Sequence, residues 1–340
     1  MARILVTGGA GYVGSHCVKA LAAAGHDALV FDNFTYGHRE FVRWGSFIEG
    51  DIRDARALER VFANHKFDAV MHFAAFAYVG ESVVDPSRYY DTNVQGTQVL
   101  LNSMVAAGVQ AIVFSSSCAV YGQPDATPIP EAAPRNPVNP YGFTKYVCEQ
   151  MLAHFEQAYG LKSVCLRYFN AAGAEPTAEI GEDHNPETHL IPLVLDAALG
   201  LRPSVEIFGT DYPTPDGTAL RDYIHVCDLA RAHVLALEYL LKKKPSIALN
   251  IGSGQAYSVQ QVIDAVRDVT GRPVVTIPSP RRAGDPAILM ADCTRAKEVL
   301  GWSPAQSDLK TIVADAWRWH SQRFGFKKDP SISSKATLTI

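Results

Sequence analysis

The sequence predicts a doubly wound parallel sheet of the α/β class, with a smaller mixed α/β domain built from interleaved C-terminal segments. Three observations predict it. Short β-branched runs alternate with longer helical patterns through the first half of the chain. A glycine-rich turn joins the first such run to the first helical pattern. After Asn170 the pattern loosens into segments rich in Pro, Gly and Asp.

Taken in order, Ile4-Leu5-Val6, Ala28-Leu29-Val30-Phe31, Ala69-Val70-Met71-His72-Phe73, Ala111-Ile112-Val113-Phe114 and Val164-Cys165-Leu166 read as strands buried on both faces. Helical patterns at 17–24, 55–63 and 95–107 lie between them. Such alternation implies parallel strands joined by right-handed crossover helices. Residues 174–188, 209–218 and 278–286 read as loops over a binding surface. Val226–Leu241 reads as a helix, and Ile247-Ala248-Leu249-Asn250-Ile251 as a strand returning to the sheet. The expected division is therefore 1–170 plus 222–254 for the sheet domain and 171–221 plus 255–326 for the second. The polar, aperiodic tail at 327–340 is expected to be disordered.

Composition narrows the function classes. With 340 residues, 47% hydrophobic and 19% charged, the chain can bury a sizeable core. A net charge of −4 gives no footprint for nucleic acid or a membrane surface. Six cysteines form no C-x-x-C pair, which predicts free thiols in a reducing compartment. No apolar run reaches membrane-span length and no secretory signal opens the chain, so the expected location is cytoplasmic.

The run Gly8-Gly9-Ala10-Gly11-Tyr12-Val13-Gly14 sits between the first strand and the first helix. There, backbone can approach a pyrophosphate while the helix N-terminus supplies N–H donors and positive potential. Gly8 serves the tight turn, Gly11 the close approach, and Gly14 the packing of helix on strand. Asp32-Asn33 closes the second strand where a carboxylate meets adenosine ribose hydroxyls and repels a 2′-phosphate, so NAD is favoured. Arg39, a few residues on, leaves NADP open. Asp51, with Ile52 beside it, is placed against the adenine. The domain reads as a Rossmann-type NAD site.

Tyr141 and Lys145 stand four apart at the start of a helical run at 140–155, so they share one face. An ammonium beside a phenol lowers its pKa and makes a general base. Ser115-Ser116-Ser117 follows a strand ending at the cofactor edge, where a serine can hold a substrate hydroxyl. His184 and His189, among Glu182, Asp183 and Glu187, lack helical pairing and read as a solvated loop near the substrate cleft, with no metal site expected. His225 reads as structural, and Cys118 as packing.

The combination resembles the short-chain dehydrogenase/reductase superfamily. Stretches 8–16, 73–93, 115–122, 140–145, 167–173, 208–228 and 281–292 resemble UDP-glucose 4-epimerases more closely, covering nearly the whole chain before the tail. The run Phe76-Ala77-Tyr78-Val79-Gly80-Glu81-Ser82, with Arg281-Arg282-Ala283-Gly284-Asp285, is similar to the branch of exopolysaccharide-linked bacterial and plant UDP-arabinose 4-epimerases. The resemblance implies Tyr141 as base, Ser117 as its hydroxyl partner, and Lys145 as the cation that also holds the nicotinamide ribose. It implies Phe73, Ala74, Asn93, Ser115 and Tyr168 along the cofactor, and Asn170, Leu190, Phe208, Arg221, Arg282 and Asp285 around the UDP moiety. Arginines forking onto phosphates fit that role. Two departures stand out: Ala77 where some members carry a phosphate-binding lysine, and Leu289 where some close the sugar pocket with tyrosine.

The implied activity is inversion at C4 of a UDP-sugar with bound NAD, UDP-glucose/UDP-galactose first, with UDP-xylose/UDP-arabinose and UDP-N-acetylhexosamines as alternatives. A homodimer is implied. Elimination chemistry would need an acid where Cys118 and Ala119 stand. A non-catalytic NAD-binding sensor could dispense with the Tyr141/Lys145 pair, which this chain keeps.

Overall fold

In a computed structural model, residues 1–282 and 284–325 are described. The tail at 327–340, expected to be disordered, lies outside the described residues, as does Ala283.

The first half runs β1 (Arg3–Thr7), α1 (Tyr12–Ala23), β2 (Asp27–Asp32), β3 (Ser46–Glu49), α2 (Ala55–Asn64), β4 (Ala69–His72), α3 (Val79–Val84), α4 (Pro86–Tyr89), α5 (Gly96–Ala106), β5 (Ala111–Ser115), α6 (Pro140–Tyr159) and β6 (Lys162–Tyr168). The second half runs β7 (Asn170–Ala172), α7 (Leu190–Leu199), β8 (Val205–Phe208), β9 (Leu220–His225), α8 (Val226–Leu241), β10 (Ile247–Ile251), β11 (Ala256–Ser258), α9 (Val259–Thr270), β12 (Thr276–Ser279), β13 (Ile288–Leu289), α10 (Thr294–Leu300) and α11 (Leu309–Phe324).

Seven strands form one sheet in the order β10-β6-β5-β4-β1-β2-β3, every neighbouring pair parallel. Successive side chains of a strand point to opposite faces, and this sheet buries both. Ile4 and Val6 of β1 join Val18 and Leu21 of α1 and Leu229 and Leu237 of α8 in one core. Leu5 between them joins Leu58, Leu100, Met104 and Leu152 from α2, α5 and α6 in the other. This is the doubly wound α/β architecture predicted from the alternation of runs.

A third core gathers Ile191, Val194 and Leu195 of α7, Val262 and Ile263 of α9, and Ile312 and Val313 of α11. Small sheets, β11-β9-β13 with β7 paired to β9, and β12-β8, accompany it. Because β10 pairs with β6, the chain re-enters the large sheet after building part of this second layer.

Two helix starts fix the site. Helix α6 begins where Asn139 accepts the Gly142 N–H and Pro140 takes the first turn, and Gly160 ends it in the left-handed conformation. The cap holds Tyr141 in the first turn, beside the end of β5. The helix runs four residues past the expected 155, to its stop at Gly160. Helix α1 begins directly behind the glycine turn.

Candidate active site

A cleft opens across the carboxyl ends of β1, β2, β4, β5 and β6, where doubly wound sheets bind ligands. Gly8, Gly11, Tyr12, Val13 and Gly14 form its floor, and Asp32, Asn33, Asp51 and Ile52 one end. Gly8 has φ +73°, and a Cβ there would lie 2.4 Å from the Ala74 nitrogen. A Cβ on Gly14 would lie 2.2 Å from the Gly8 carbonyl oxygen, so Gly14 packs against the loop's own backbone rather than the strand. On Gly11 it would meet only the Gly8 oxygen, at 3.4 Å, so the protein's own packing does not demand glycine there.

Asp32 is buried, accepts the Ala10 and Phe34 N–H groups at 3.0 and 2.8 Å, and has its pKa raised by burial. Asp51 is bonded to Asn33 at 3.0 Å and held by Arg53, whose hydrogen bonds bring its carboxyl down to about 2.

Ser115, Ser117, Tyr141 and Tyr168 meet at the centre of the cleft. The Tyr168 phenol and the Ser115 hydroxyl lie 2.7 Å apart. Tyr141 is 7% exposed, and burial pushes its phenol above the ordinary value, with the neighbouring Ser117 hydroxyl opposing that push. Lys145 does not lower it as expected from the spacing. Its ammonium donates to the Ser115 carbonyl at 2.7 Å, behind the wall, and burial lowers its own pKa to about 8. Desolvation, with no ammonium aimed at the phenol, decides the direction. Cys118 is pushed up to about 12 by burial, so it is no acid at neutral pH.

Asn93 lies beneath the loop after β4. It is not on the cleft wall: in a π turn at Tyr90–Gln95, its amide spans the Phe76 backbone N–H and C=O at 2.9 and 3.0 Å and reaches Thr144 at 3.0 Å. It shapes the loop after β4, and Thr92 reaches the wall instead. Phe73 and Ala74 line the cleft as expected, as does Ala77.

At the far end stand Asn170, Arg221, Arg282, Asp285 and Leu289. Arg221 is ion-paired with Asp285. Arg282 lies over the Phe208 ring at 4.1 Å, so Phe208 supports that arginine rather than facing the cleft itself. Leu190 also stands off the wall, packed against the third core at the start of α7.

Tyr36 also lines the wall with no signal in the sequence to mark it, and Phe76, Tyr78, Glu182, His184 and His189, named from the sequence without a role in the cleft wall, line it as well. The segment 182–189 is a loop at the cleft, as expected, exposed at Asn185, Pro186 and Thr188 but buried at Glu182. Glu182 is 6% exposed, and His184 and His189 turn toward it, with Tyr12 and Tyr78 ring centroids 6.1 and 5.9 Å from that of His184. A helical i,i+4 test missed this, because the loop folds back on itself. His225 is fully buried, accepts the Cys227 N–H at 3.1 Å and caps α8, away from the cleft. The six cysteines are free. No described helix is long and apolar enough to cross a membrane.

Residues 4–252 match the NAD dependent epimerase/dehydratase family. The chain is 53% identical over 321 residues to a Rhizobium meliloti protein named UDP-glucose 4-epimerase, covering 94% of this chain and 98% of the relative. It superposes with a TM-score of 0.92 on the crystal structure of UDP-glucose 4-epimerase from Brucella ovis in complex with NAD, at 50% identity, covering 94% of this chain and 99% of that one. A Stenotrophomonas maltophila UDP-glucose-4-epimerase, with bound NAD and formylated UDP-arabinopyranose, also gives a TM-score of 0.92, at 43% identity and 95% and 99% coverage.

Proposed function

The chain belongs to the NAD dependent epimerase/dehydratase family, and on that footing we propose that it is an NAD-dependent UDP-sugar 4-epimerase interconverting UDP-glucose and UDP-galactose. The observation that carries this reading is the meeting of the Tyr141 phenol and the Ser117 hydroxyl in the cleft below the glycine turn.

The residues fit NAD. Gly8 and Gly14 allow a tight turn into the N-terminus of α1, and a side chain on Gly11 would intrude on the space a pyrophosphate needs. Asp32 and Asp51 offer carboxylates to the adenosine end, and Phe73, Ala74 and Tyr168 line the remaining path. When bound, NAD supplies a hydride acceptor and a positive charge that draws the Tyr141 pKa down.

Tyr141 takes the proton of the sugar 4-hydroxyl, passed through Ser117, and returns it after the transient 4-keto sugar has turned over. Lys145 fixes the Ser115 carbonyl and, from behind Tyr141, holds the nicotinamide ribose. Arg221 and Arg282 grip the diphosphate, Asp285 the uridine ribose, and Asn170 the path between them. Phe208 and Leu190 act from behind, by placing Arg282 and the start of α7. The nucleotide is held by charge while Leu289 gives the sugar an apolar wall, which suits a ring that must rotate.

We assign 1–170 plus 222–254 to cofactor binding and 171–221 plus 255–326 to UDP-sugar binding, with a homodimer as the working assembly and the cytoplasm as its place. Free thiols support a reducing compartment. A second reading, a UDP-pentose epimerase, is favoured by the arabinopyranose nucleotide bound in the Stenotrophomonas relative.

Incubation with UDP-galactose, then with UDP-arabinopyranose, followed by chromatography of the nucleotide sugars, tests both. UDP-glucose should form without stoichiometric NADH. Net NADH release, or no product from either sugar, would overturn the assignment.

A further inference from the structure

We propose that Glu182, His184, Glu187 and His189 form a structural site for a divalent cation of the zinc class, beside the substrate cleft. One ligand atom from each residue lies within 4.8 Å of all the others. Four separations are 2.8 Å (His189 Nδ1 to Glu182 Oε1), 2.9 Å (His189 Nδ1 to Glu187 Oε1), 3.2 Å (His184 Nδ1 to Glu182 Oε1) and 3.7 Å (His184 Nδ1 to Glu187 Oε2). A tetrahedron with metal–ligand bonds of about 2.1 Å has an edge of about 3.4 Å, inside that range.

The four groups are ion-paired, but only in part hydrogen-bonded, to one another. Glu182 is 94% buried by its 6% exposure, yet its Oε1 makes no hydrogen bond, although two imidazole nitrogens stand within 3.2 Å. His184 Nδ1 is likewise buried and without a hydrogen bond. Only His189 and Glu187 are aligned as donor and acceptor. Ion pairs with His184 and His189 offset the Glu182 charge, and a bound cation would give its oxygen a directed bond that these contacts lack.

Ligand type selects the ion. Two imidazoles and two carboxylates suit zinc, whereas magnesium and calcium take oxygen ligands. Two carboxylates neutralise a dication. Four protein ligands close the tetrahedron, as in structural rather than catalytic sites.

The consequence is positional. Glu182 receives the Trp319 indole N–H of α11 on its backbone carbonyl at 3.1 Å, and His189 is the residue before α7. A cation here ties the two ends of the loop together and sets the wall facing Tyr78, whose ring centroid lies 5.9 Å from that of His184.

The test uses the full chain, stripped with a chelator, reloaded with zinc chloride and desalted. About one zinc per chain by mass spectrometric metal analysis is expected, with a raised Tm. Cobalt(II) loading should give the visible bands of a tetrahedral ion. The His184→Ala/Glu187→Ala variant should lose retained zinc and the Tm shift, and His184→Gln should bind zinc at least about tenfold more weakly with an unchanged far-ultraviolet spectrum. If the stripped wild-type chain retains no zinc and its Tm does not move, the four residues are an ion-paired cluster and the site does not exist. Equal zinc in wild type and His184→Gln overturns it as well.

Discussion

The Arg221 guanidinium of β9 donates to the Asp285 carboxylate across the rim of the cleft, with side chains 12% and 32% exposed. A second donor of the same guanidinium goes to the Leu220 carbonyl at 2.8 Å. Two anchors thus hold the arginine fork in place before any ligand arrives, which lowers the ordering cost of gripping a phosphate.

Replacing Arg221 with Ala should therefore raise KM for the UDP-sugar by about tenfold to a hundredfold, the worth of one or two charge-assisted hydrogen bonds. The drop in kcat should be smaller, since the arginine stands away from the reacting carbon. Steady-state kinetics with UDP-galactose separates the two parameters; an unchanged KM removes Arg221 from the diphosphate site.

The variant Tyr141→Phe should lose about 10²- to 10⁴-fold in turnover, the range for a general acid–base group. UDP should still bind within about twofold of wild type by calorimetry, because the phenol takes no part in holding the nucleotide. Since burial raises the phenol, wild-type kcat should climb with pH on the acid side, and the residual activity of the variant should lack that limb. Near-wild-type turnover in Tyr141→Phe sinks the mechanism.

Arg167 and Glu149 form a buried pair at 2.6 and 2.9 Å, both side chains 4% exposed, and the Ser116 hydroxyl donates to the same carboxylate at 2.6 Å. Removing one partner leaves a charge stranded in a low-dielectric interior, at a cost of about 3–5 kcal/mol. Calorimetry of Glu149→Ala should show Tm lower by several degrees. A simultaneous Arg167→Met change should recover part of the loss, and no recovery would mean that the deficit comes from the serine run instead.

Acid should unfold the protein through three buried histidines. Burial lowers His16 and His233 to about 4 and His72 to about 3, against an ordinary value near 6.5. At these three sites the unfolded chain binds more protons than the folded one between those limits, so their contribution to stability is complete above about pH 6.5 and falls as pH drops toward 4. Guanidinium unfolding at pH 7, 6 and 5 should show a steady decline. His72 sits between the Thr7 and Thr97 hydroxyls at 2.6 and 2.9 Å, so His72→Gln keeps polar partners for both and should reduce the slope by about one proton. A flat profile from pH 7 to 5 contradicts this.

Local patterns carried the sheet and the centre of the cleft. Ile4, Leu5 and Val6 are all apolar because both faces of β1 are covered, and that periodicity is visible without coordinates. Gly14 is required by backbone contact with Gly8, six residues earlier, which is a local signal, whereas a Cβ on Gly8 is excluded by its positive φ and by the remote backbone of Ala74. Tyr141 stands where it does because Asn139 and Pro140 start the helix there. Other contacts were not legible because the partners are remote in the chain. Lys145 finds the carbonyl of Ser115, thirty residues earlier, in place of the nearby phenol. Asn93 turns to Phe76 and Thr144, and Phe208 lies beneath Arg282.

By itself the sequence determined the parallel sheet, the glycine turn and the Tyr141 helix start, since each depends on conformational preferences and burial periods that neighbouring residues set. Only the tertiary structure decided the direction of the Tyr141 pKa, the pairing of Arg221 with Asp285, and the convergence of Glu182, His184, Glu187 and His189. The physical reason is that desolvation and charge contact depend on distance in space, and loop closure brings together groups whose separation along the chain carries no such information.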